Sequence, residues 1–199
     1  LALGGRGTII TLWDVAAGAE RGRIELPGDG IRDSTKKWVE GLAFAADGRS
    51  LLAVQSVEGR SPVGFVIDLA TSTAQRLGIF NDVRDPSDLG LSADGKIAVL
   101  TTGSNDGTIF VYAGSPFKRS PKKLACMGPC AMRLARFSPD GTRLLTGGDG
   151  VIALWNVDKS GIGEALRVVP LGAGETVRDA LFMGDGTLAV LSDRRISLW

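Results

Sequence analysis

Four Asp-Gly pairs, Asp47-Gly48, Asp94-Gly95, Asp140-Gly141 and Asp185-Gly186, recur along this chain at spacings of 47, 46 and 45 residues. A near-constant period of this length marks a chain built from copies of one supersecondary unit, as in a solenoid, an array or a propeller. Short apolar runs flank every pair. EGLAFA (40–45), DLGLS (88–92), RLARFS (133–138) and RDALFM (178–183) precede the turns, and SLLAVQS, KIAVLTT, TRLLTGG and TLAVLSD follow them. A third run comes after a polar turn, in GFVIDL (64–69), TIFVY (108–112), VIALWNV (151–157) and RISLW (195–199). A fourth and more polar run closes the unit in AQRLGIF (74–80), KKLACM (122–127) and ALRVVPL (165–171).

Short runs rich in Val, Ile, Leu and Thr, bounded by Gly, Asp, Asn and Ser, are strand signals. No window carries the caps and 3.6-residue period of a useful helix, so a parallel sheet alternating with helices is not expected. The expected fold is all-β: a β-propeller of four-stranded antiparallel blades, about five of them represented. A blade alone has two apolar faces, and stacking buries both, which explains the continuous apolar character of the middle strands. At ~25 cal/mol per Å2 of buried apolar area, the inter-blade faces supply most of the stability. The expected units are a partial blade at 1–27, full blades at about 38–80, 86–127 and 131–171, and a partial blade at 177–199.

Composition narrows the function. The 23 basic and 22 acidic residues leave a net charge of +1, which gives no global field for nucleic acid or an anionic membrane. No apolar run approaches the ~20 residues of a bilayer span, and LALGGRGT at the start lacks the pattern of a signal peptide. Cys126 and Cys130 are the only cysteines and the chain has no His, so no zinc site is completed from these residues. Two reduced, partly buried thiols are expected. The expected setting is cytoplasmic.

With FSPDGTRLLTGGDGVIALWNV (137–157), LWDV (12–15) and SLW (197–199), the chain resembles the tryptophan-aspartate (WD) repeat propellers across essentially its whole length. The aromatic that ends the third strand falls at Trp13, Tyr112, Trp155 and Trp199, with Ile67 in that slot of the second repeat. The turn Asp of the family matches Asp106, Asp149 and Asp193. In that family a His, a Ser or Thr, this Asp and the Trp form a hydrogen-bonded relay. The resemblance implies a partial relay here, through Thr146, Asp149 and Trp155 and through Ser192, Asp193 and Trp199, with the Asp residues bonding backbone amides. These residues are expected to be architectural. The family most often closes with seven blades, so the resemblance also implies a piece of a larger propeller, with the remaining blades or another domain of the same protein as neighbours.

Catalytic constellations are missing. Without His there is no Ser-His-Asp or Cys-His pair, GxSxG and GxxxxGK[ST] are absent, and the Asp-Gly pairs lack EF-hand spacing. No catalytic residue, metal site or cofactor is expected in this segment. What remains is surface. The loops before first strands and those between second and third strands share one face of the disc, and Trp38, Glu40, Arg84, Arg133 and Arg178 fall there. In the resembled family this rim docks peptides and proteins, and Arg and Trp are enriched at binding hot spots. Solvated loop charges are the alternative for the arginines, and packing against its own blade is the alternative for Trp38, which lies in the polar stretch RDSTKKWVE. On the opposite face, Lys118, Arg119, Lys122 and Lys123 are expected in a loop that could meet an acidic partner. The functional expectation is a non-catalytic protein-interaction scaffold or sensor module, often carried beside a catalytic or signalling domain in bacterial members of the family. Two alternatives stand: a propeller enzyme whose channel site other blades complete, and, more weakly, a nucleic-acid or ribosome-associated propeller using the 115–124 segment.

Overall fold

The computed structural model describes residues 1–28, 36–80, 83, 86–102, 108–113, 131–184 and 186–199, and the backbone of 118–123. Among the described residues eighteen strands form five antiparallel meanders. The first sheet holds β1 (Ala2–Leu3), β2 (Ile9–Asp14) and β3 (Ala19–Glu25). The second holds β4 (Lys37–Phe44), β5 (Ser50–Val57), β6 (Arg60–Asp68) and β7 (Thr73–Ile79). The third holds β8 (Asp88–Leu91), β9 (Ile97–Thr101), β10 (Thr108–Ala113) and β11 (Lys118–Lys123). In the fourth are β12 (Met132–Phe137), β13 (Arg143–Gly148), β14 (Val151–Asp158) and β15 (Gly161–Pro170). The fifth holds β16 (Val177–Phe182), β17 (Leu188–Ser192) and β18 (Ile196–Leu198). These sheets are the blades of a β-propeller. The first strands β4, β8, β12 and β16 lie beside one another along the inner edge.

The repeated Asp-Gly turns have a local cause. In the fourth blade the Asp140 carboxylate accepts hydrogen bonds from the Ser138 hydroxyl at 2.6 Å, the Thr142 amide at 3.0 Å and the Thr142 hydroxyl at 2.8 Å. Asp94 is held in the same way by the Ser92 hydroxyl and the Lys96 amide, and Asp47 by the Arg49 amide. The glycine that follows sits at φ +70° in Gly141, a conformation that a side chain strains. These three turns are thereby fixed, and with them the register of the first and second strands of their blades; Asp185 lies outside the described residues.

Among the described residues, packing between blades falls in four clusters. Ile10 and Ile24 of the first blade meet Leu51, Phe65 and Ile67 of the second. Leu52 and Val54 of the second meet Leu89, Leu100 and Tyr112 of the third. Val99, Ile109 and Val111 of the third meet Ala153 and Trp155 of the fourth, and Leu145 and Ile152 of the fourth meet Val177 and Val190 of the fifth. Every strand β5, β9 and β13 therefore buries side chains on both faces. Close approach is strict at Gly41, where an added Cβ would lie 2.4 Å from Leu89 Cδ1 of the next blade.

The aromatic slot serves the face toward the preceding blade. Trp155 is 3% exposed, and its Nε1–H donates to Thr146 Oγ1 at 2.9 Å. Tyr112 lies against Phe80 with ring centroids 4.4 Å apart. Trp13 and Trp199 hold the same register position yet are 37% and 46% exposed.

Three expectations need correction. KRSPKK (118–123) is the outermost strand of the third blade, paired with β10, where a loop was expected up to 121; the rest of the strand expected at 122–127, residues 124–127, lies outside the described residues. Its basic and Pro-containing composition, which reads as a loop, suits an edge strand, where Pro121 is tolerated and charge discourages pairing with another chain. Trp38 stands in β4, opposite Ser56, and not in a polar loop. Finally β15 starts at Gly161, four residues before the expected ALRVVPL, because the hairpin from β14 closes at Asp158–Gly161. Asp106 and the two cysteines lie outside the described residues.

Two outcomes follow from this architecture. The Asp140 carboxyl is lowered from 3.8 to about 2, chiefly by the Ser138 hydroxyl and then by Thr142. Its lowered value means that it stabilises the fold above the unfolded-state value, and that this stability is lost as pH falls through the folded one. Asp140→Asn is expected to lower the melting temperature at neutral pH and to flatten its fall between pH 3.8 and about 2, read by thermal melts across that range. Gly41→Ala is expected to cost about 2 kcal/mol by overpacking the contact with Leu89, read by denaturant unfolding.

Candidate functional site

A β-bulge opens the first strand of three blades: between Val39 and Gly41, between Met132 and Leu134, and between Val177 and Asp179. The extra residues are Glu40, Arg133 and Arg178. A bulge re-aims the side chain of its extra residue, so the repeat puts one polar side chain per blade at the same point of the rim. Ser87, which donates its amide to the Thr101 carbonyl at 2.7 Å, stands at the corresponding point before β8. Arg84 lies outside the described residues.

Between the fourth and fifth blades this rim holds a cleft of about 620 Å3, lined by Arg133, Asp149, Gly150, Gly174, Glu175, Thr176 and Arg178. Arg133 forks onto Asp149, Nε to Oδ1 and Nη2 to Oδ2, both at 3.2 Å. Asp149 also accepts from the Thr176 hydroxyl at 3.0 Å, and the Thr176 amide donates to Asp193 at 3.1 Å. The Arg133 guanidinium above all, then Thr176, holds the Asp149 carboxyl below the usual carboxylate range, with Arg178 contributing at longer reach. Asp149 and Asp193 thus tie each turn to the strap that enters the fifth blade, and neither bonds a tryptophan. Arg178 is exposed on this cleft.

Glu175 is the residue that sequence reasoning missed. It is nearly fully buried just before β16, in the place that the resembled family's relay gives to its His, and it accepts from the Ser192 hydroxyl at 2.6 Å and the Gly172 amide at 3.1 Å. Arg195 pairs with it at 3.3 Å. The Ser192 hydroxyl, more than any other group, keeps its carboxyl below the ordinary value. A carboxylate accepts from the Ser192 hydroxyl where the resemblance implies an imidazole. The signal was present in GETV (174–177), two residues ahead of the strand.

In the second blade the rim differs. Trp38, 37% exposed, borders a cleft of about 390 Å3 with Ser56, Val57, Glu58, Gly59, Arg60, Ser61 and Pro62. Arg6 of the first blade bridges to Trp38 across the backbone, and the Val39 amide donates to the Gly5 carbonyl at 2.8 Å. Glu40 accepts a hydrogen bond from the Ser56 hydroxyl, so it braces its own blade. The structure therefore groups Arg133 with Arg178 at one notch and leaves Trp38 and Glu40 at another. Lys118, Arg119, Lys122 and Lys123 lie on β11, the outermost strand of the third blade, away from both.

Along the inner edge runs a chain of charge that crosses three blades. Asp88 of β8 accepts from the Ala135 amide at 2.9 Å and from Arg136 Nη1 of β12, and Arg136 Nη2 reaches Asp179 of β16 at 3.4 Å. Burial pushes the Asp88 carboxyl up, against the lowering effect of the Ala135 amide and the Arg136 guanidinium. Among the described residues no three His, Cys, Asp or Glu side chains converge as they would around a metal ion. The rim and the inner edge offer fixed charge, hydrogen-bond groups and one half-exposed indole, which is chemistry for holding a surface.

Residues 128–156 match the family model for the WD domain, G-beta repeat. No curated protein matches the sequence. Among solved structures the chain is similar to Kuenenia stuttgartiensis hydrazine synthase, 13% identical, with a TM-score of 0.71 over 98% of this chain and 65% of that one. It is equally similar to a complex of KlAtg21 with the coiled coil of AgAtg16, 13% identical, with a TM-score of 0.71 over 97% of this chain and 60% of that one. At this identity the likeness is one of fold. The chain spans less than two thirds of the length of either.

Replacing Arg136 with Met would leave the Asp88 carboxylate with the Ala135 amide and without its guanidinium partner. The expected loss is about 2 kcal/mol, typical of a hydrogen bond to a charged group in a partly buried site. Because burial raises the Asp88 value, its protonated form is the better tolerated, and the loss is expected to shrink as pH falls through that titration. Denaturant melts of both proteins at neutral and acid pH check this.

Proposed function

We propose that this chain, a run of WD-repeat β-propeller blades, is a non-catalytic scaffold or sensor module that binds a protein or peptide on the rim where the first strands begin. WD propellers act as interaction platforms, and the coarse reading is supported by the repeat at 128–156 and by the fold it shares with KlAtg21, whose structure includes the coiled coil of AgAtg16. The observation that carries the finer reading is the bulge at the head of β12 and of β16, which brings Arg133 and Arg178 to one cleft, while Trp38 borders another beside the bulge of β4. Side chains held on strands lose little freedom on binding, so contacts to them yield more net affinity than contacts to mobile loops. The proposed setting is a larger, cytoplasmic, multidomain protein in which the disc presents this rim to its partner.

Alanine at Trp38, Arg84, Arg133 and Arg178 together is expected to leave the fold intact, since the Arg133–Asp149 pair is exposed and such pairs contribute about 1 kcal/mol or less. Partner capture should collapse, each hot-spot residue costing about 2 kcal/mol. Alanine at Lys118, Arg119, Lys122 and Lys123 should leave capture unchanged. A pulldown comparing the two variants decides it, and capture that survives the first set would refute this rim.

A further inference from the structure

Four arginines surround the notch between the fourth and fifth blades, and only two of them find a carboxylate. Arg133 forks onto Asp149 at 3.2 Å, and Arg195 pairs with Glu175 at 3.3 Å. Arg178 and Arg194 are exposed, and among the described residues neither makes an ion pair. Their positions are nevertheless set. Arg178 is the extra residue of the β16 bulge and lines the cleft. Arg194, in the turn between β17 and β18, lies across the strap that enters the fifth blade. An added Cβ at Gly174 would stand 3.5 Å from its Nη2, and one at Gly172 would stand 3.9 Å from its Nη1. Gly174 lines the same cleft. The charge of Arg178 is felt at Asp149 and that of Arg194 at Glu175, so both stand within electrostatic reach of the cleft's own acids.

Those acids are already engaged. Asp149 takes Arg133 and the Thr176 hydroxyl, and Glu175 takes the Ser192 hydroxyl, the Gly172 amide and Arg195. Two guanidiniums are therefore left in excess, one on a bulged strand and one on a tight turn, rather than on long loops. On a convex surface water would satisfy them. Here they stand at a concave space of about 620 Å3, which is the size of a ligand site. The planar fork of a guanidinium matches a carboxylate through two parallel N–H···O bonds.

Resting on the rim reading above, we propose that this notch takes an acidic peptide segment, which sets a Glu or Asp carboxylate on Arg178 and Arg194. Nucleic acid is a poorer fit. Asp149 lines the cleft and repels a run of phosphates, whereas its oxygens can accept further N–H groups from a peptide main chain. A net charge of +1 supplies no wider field to offset that repulsion.

The test is a titration of the isotope-labelled chain, followed by nuclear magnetic resonance at the arginine Nε–H signals in about 0.15 M salt. The probe is a blocked peptide of alternating Gly and Glu, and its counterpart carries Gln for Glu. The Glu peptide is expected to shift the Arg178 and Arg194 signals, and the Gln peptide to bind about tenfold more weakly for want of the charge-assisted bonds. Arg178→Gln with Arg194→Gln should weaken the Glu peptide by a similar factor. Lys122→Gln with Lys123→Gln, which removes as much charge from the outermost strand, should leave its binding unchanged, and the amide spectra show whether each variant folds. Free glutamate should act only at far higher concentration. No shift at Arg178 or Arg194 with millimolar Glu peptide overturns the assignment, whatever the variants do. So does a response to free glutamate as strong as to the peptide, or a response to oligothymidylate alone. Equal binding of the Glu and Gln peptides overturns the acidic preference while leaving the rim a peptide site. The rim itself is judged by the pulldown above, so capture lost there without a Glu-peptide response here removes the acidic notch alone.

Discussion

A sheet that is apolar on both sides has no stable existence until something covers both sides. That constraint shapes everything else in this chain. Strands β5, β9 and β13 are buried along their length because neighbours stand on each face of them. Polar sequence is consequently pushed outward to strands such as β7 and β11, and to the turns at either rim. Tight approach follows as well, which is why Gly41 stands where Leu89 of the next blade presses in. The inner edge is narrow enough for Arg136 to touch carboxylates of two neighbouring blades at once.

The fold was legible because its repeat is written in the residues that make turns. Asp140 and Gly141 have local reasons to be where they are, and local reasons show in sequence. The aromatic slot was legible for the same cause, since its residues end a strand at constant distance from the turn. What escaped was anything decided by tertiary context. Basic, Pro-containing KRSPKK has the composition of a loop, and only its pairing with β10 makes it a strand. Trp38 follows a polar stretch, yet the ladder with β5 and the bridge from Arg6 extend the strand over it.

The rim was half visible. Register alone placed Glu40, Arg133 and Arg178 at equivalent points, and the bulges give those points their geometry. Equivalence of position did not mean equivalence of role. Glu40 turns back to Ser56, Arg133 shares its charge with Asp149, and Arg178 faces the cleft. Glu175 shows the converse case. Its type departs from the resembled pattern while one task, accepting a hydrogen bond from the Ser192 hydroxyl, is met. A search for His finds nothing there, whereas a search for a buried acceptor two residues before the strand finds it.

The Asp-Gly turns also bear on how this protein ages. Among aspartyl dipeptides Asp-Gly is the most prone to cyclise, because the unhindered glycine nitrogen can attack the neighbouring carboxyl carbon and convert the link to isoaspartate. Here the Gly48, Gly95 and Gly141 amides are donated back across their turns to Ala45, Ser92 and Ser138, each at 2.9 Å. The Asp94 and Asp140 carboxylates are meanwhile turned toward the hydroxyls and amides around them. Nucleophile and electrophile are thus kept apart by the same bonds that set the register, and a motif that is chemically fragile in a loose chain becomes durable once folded.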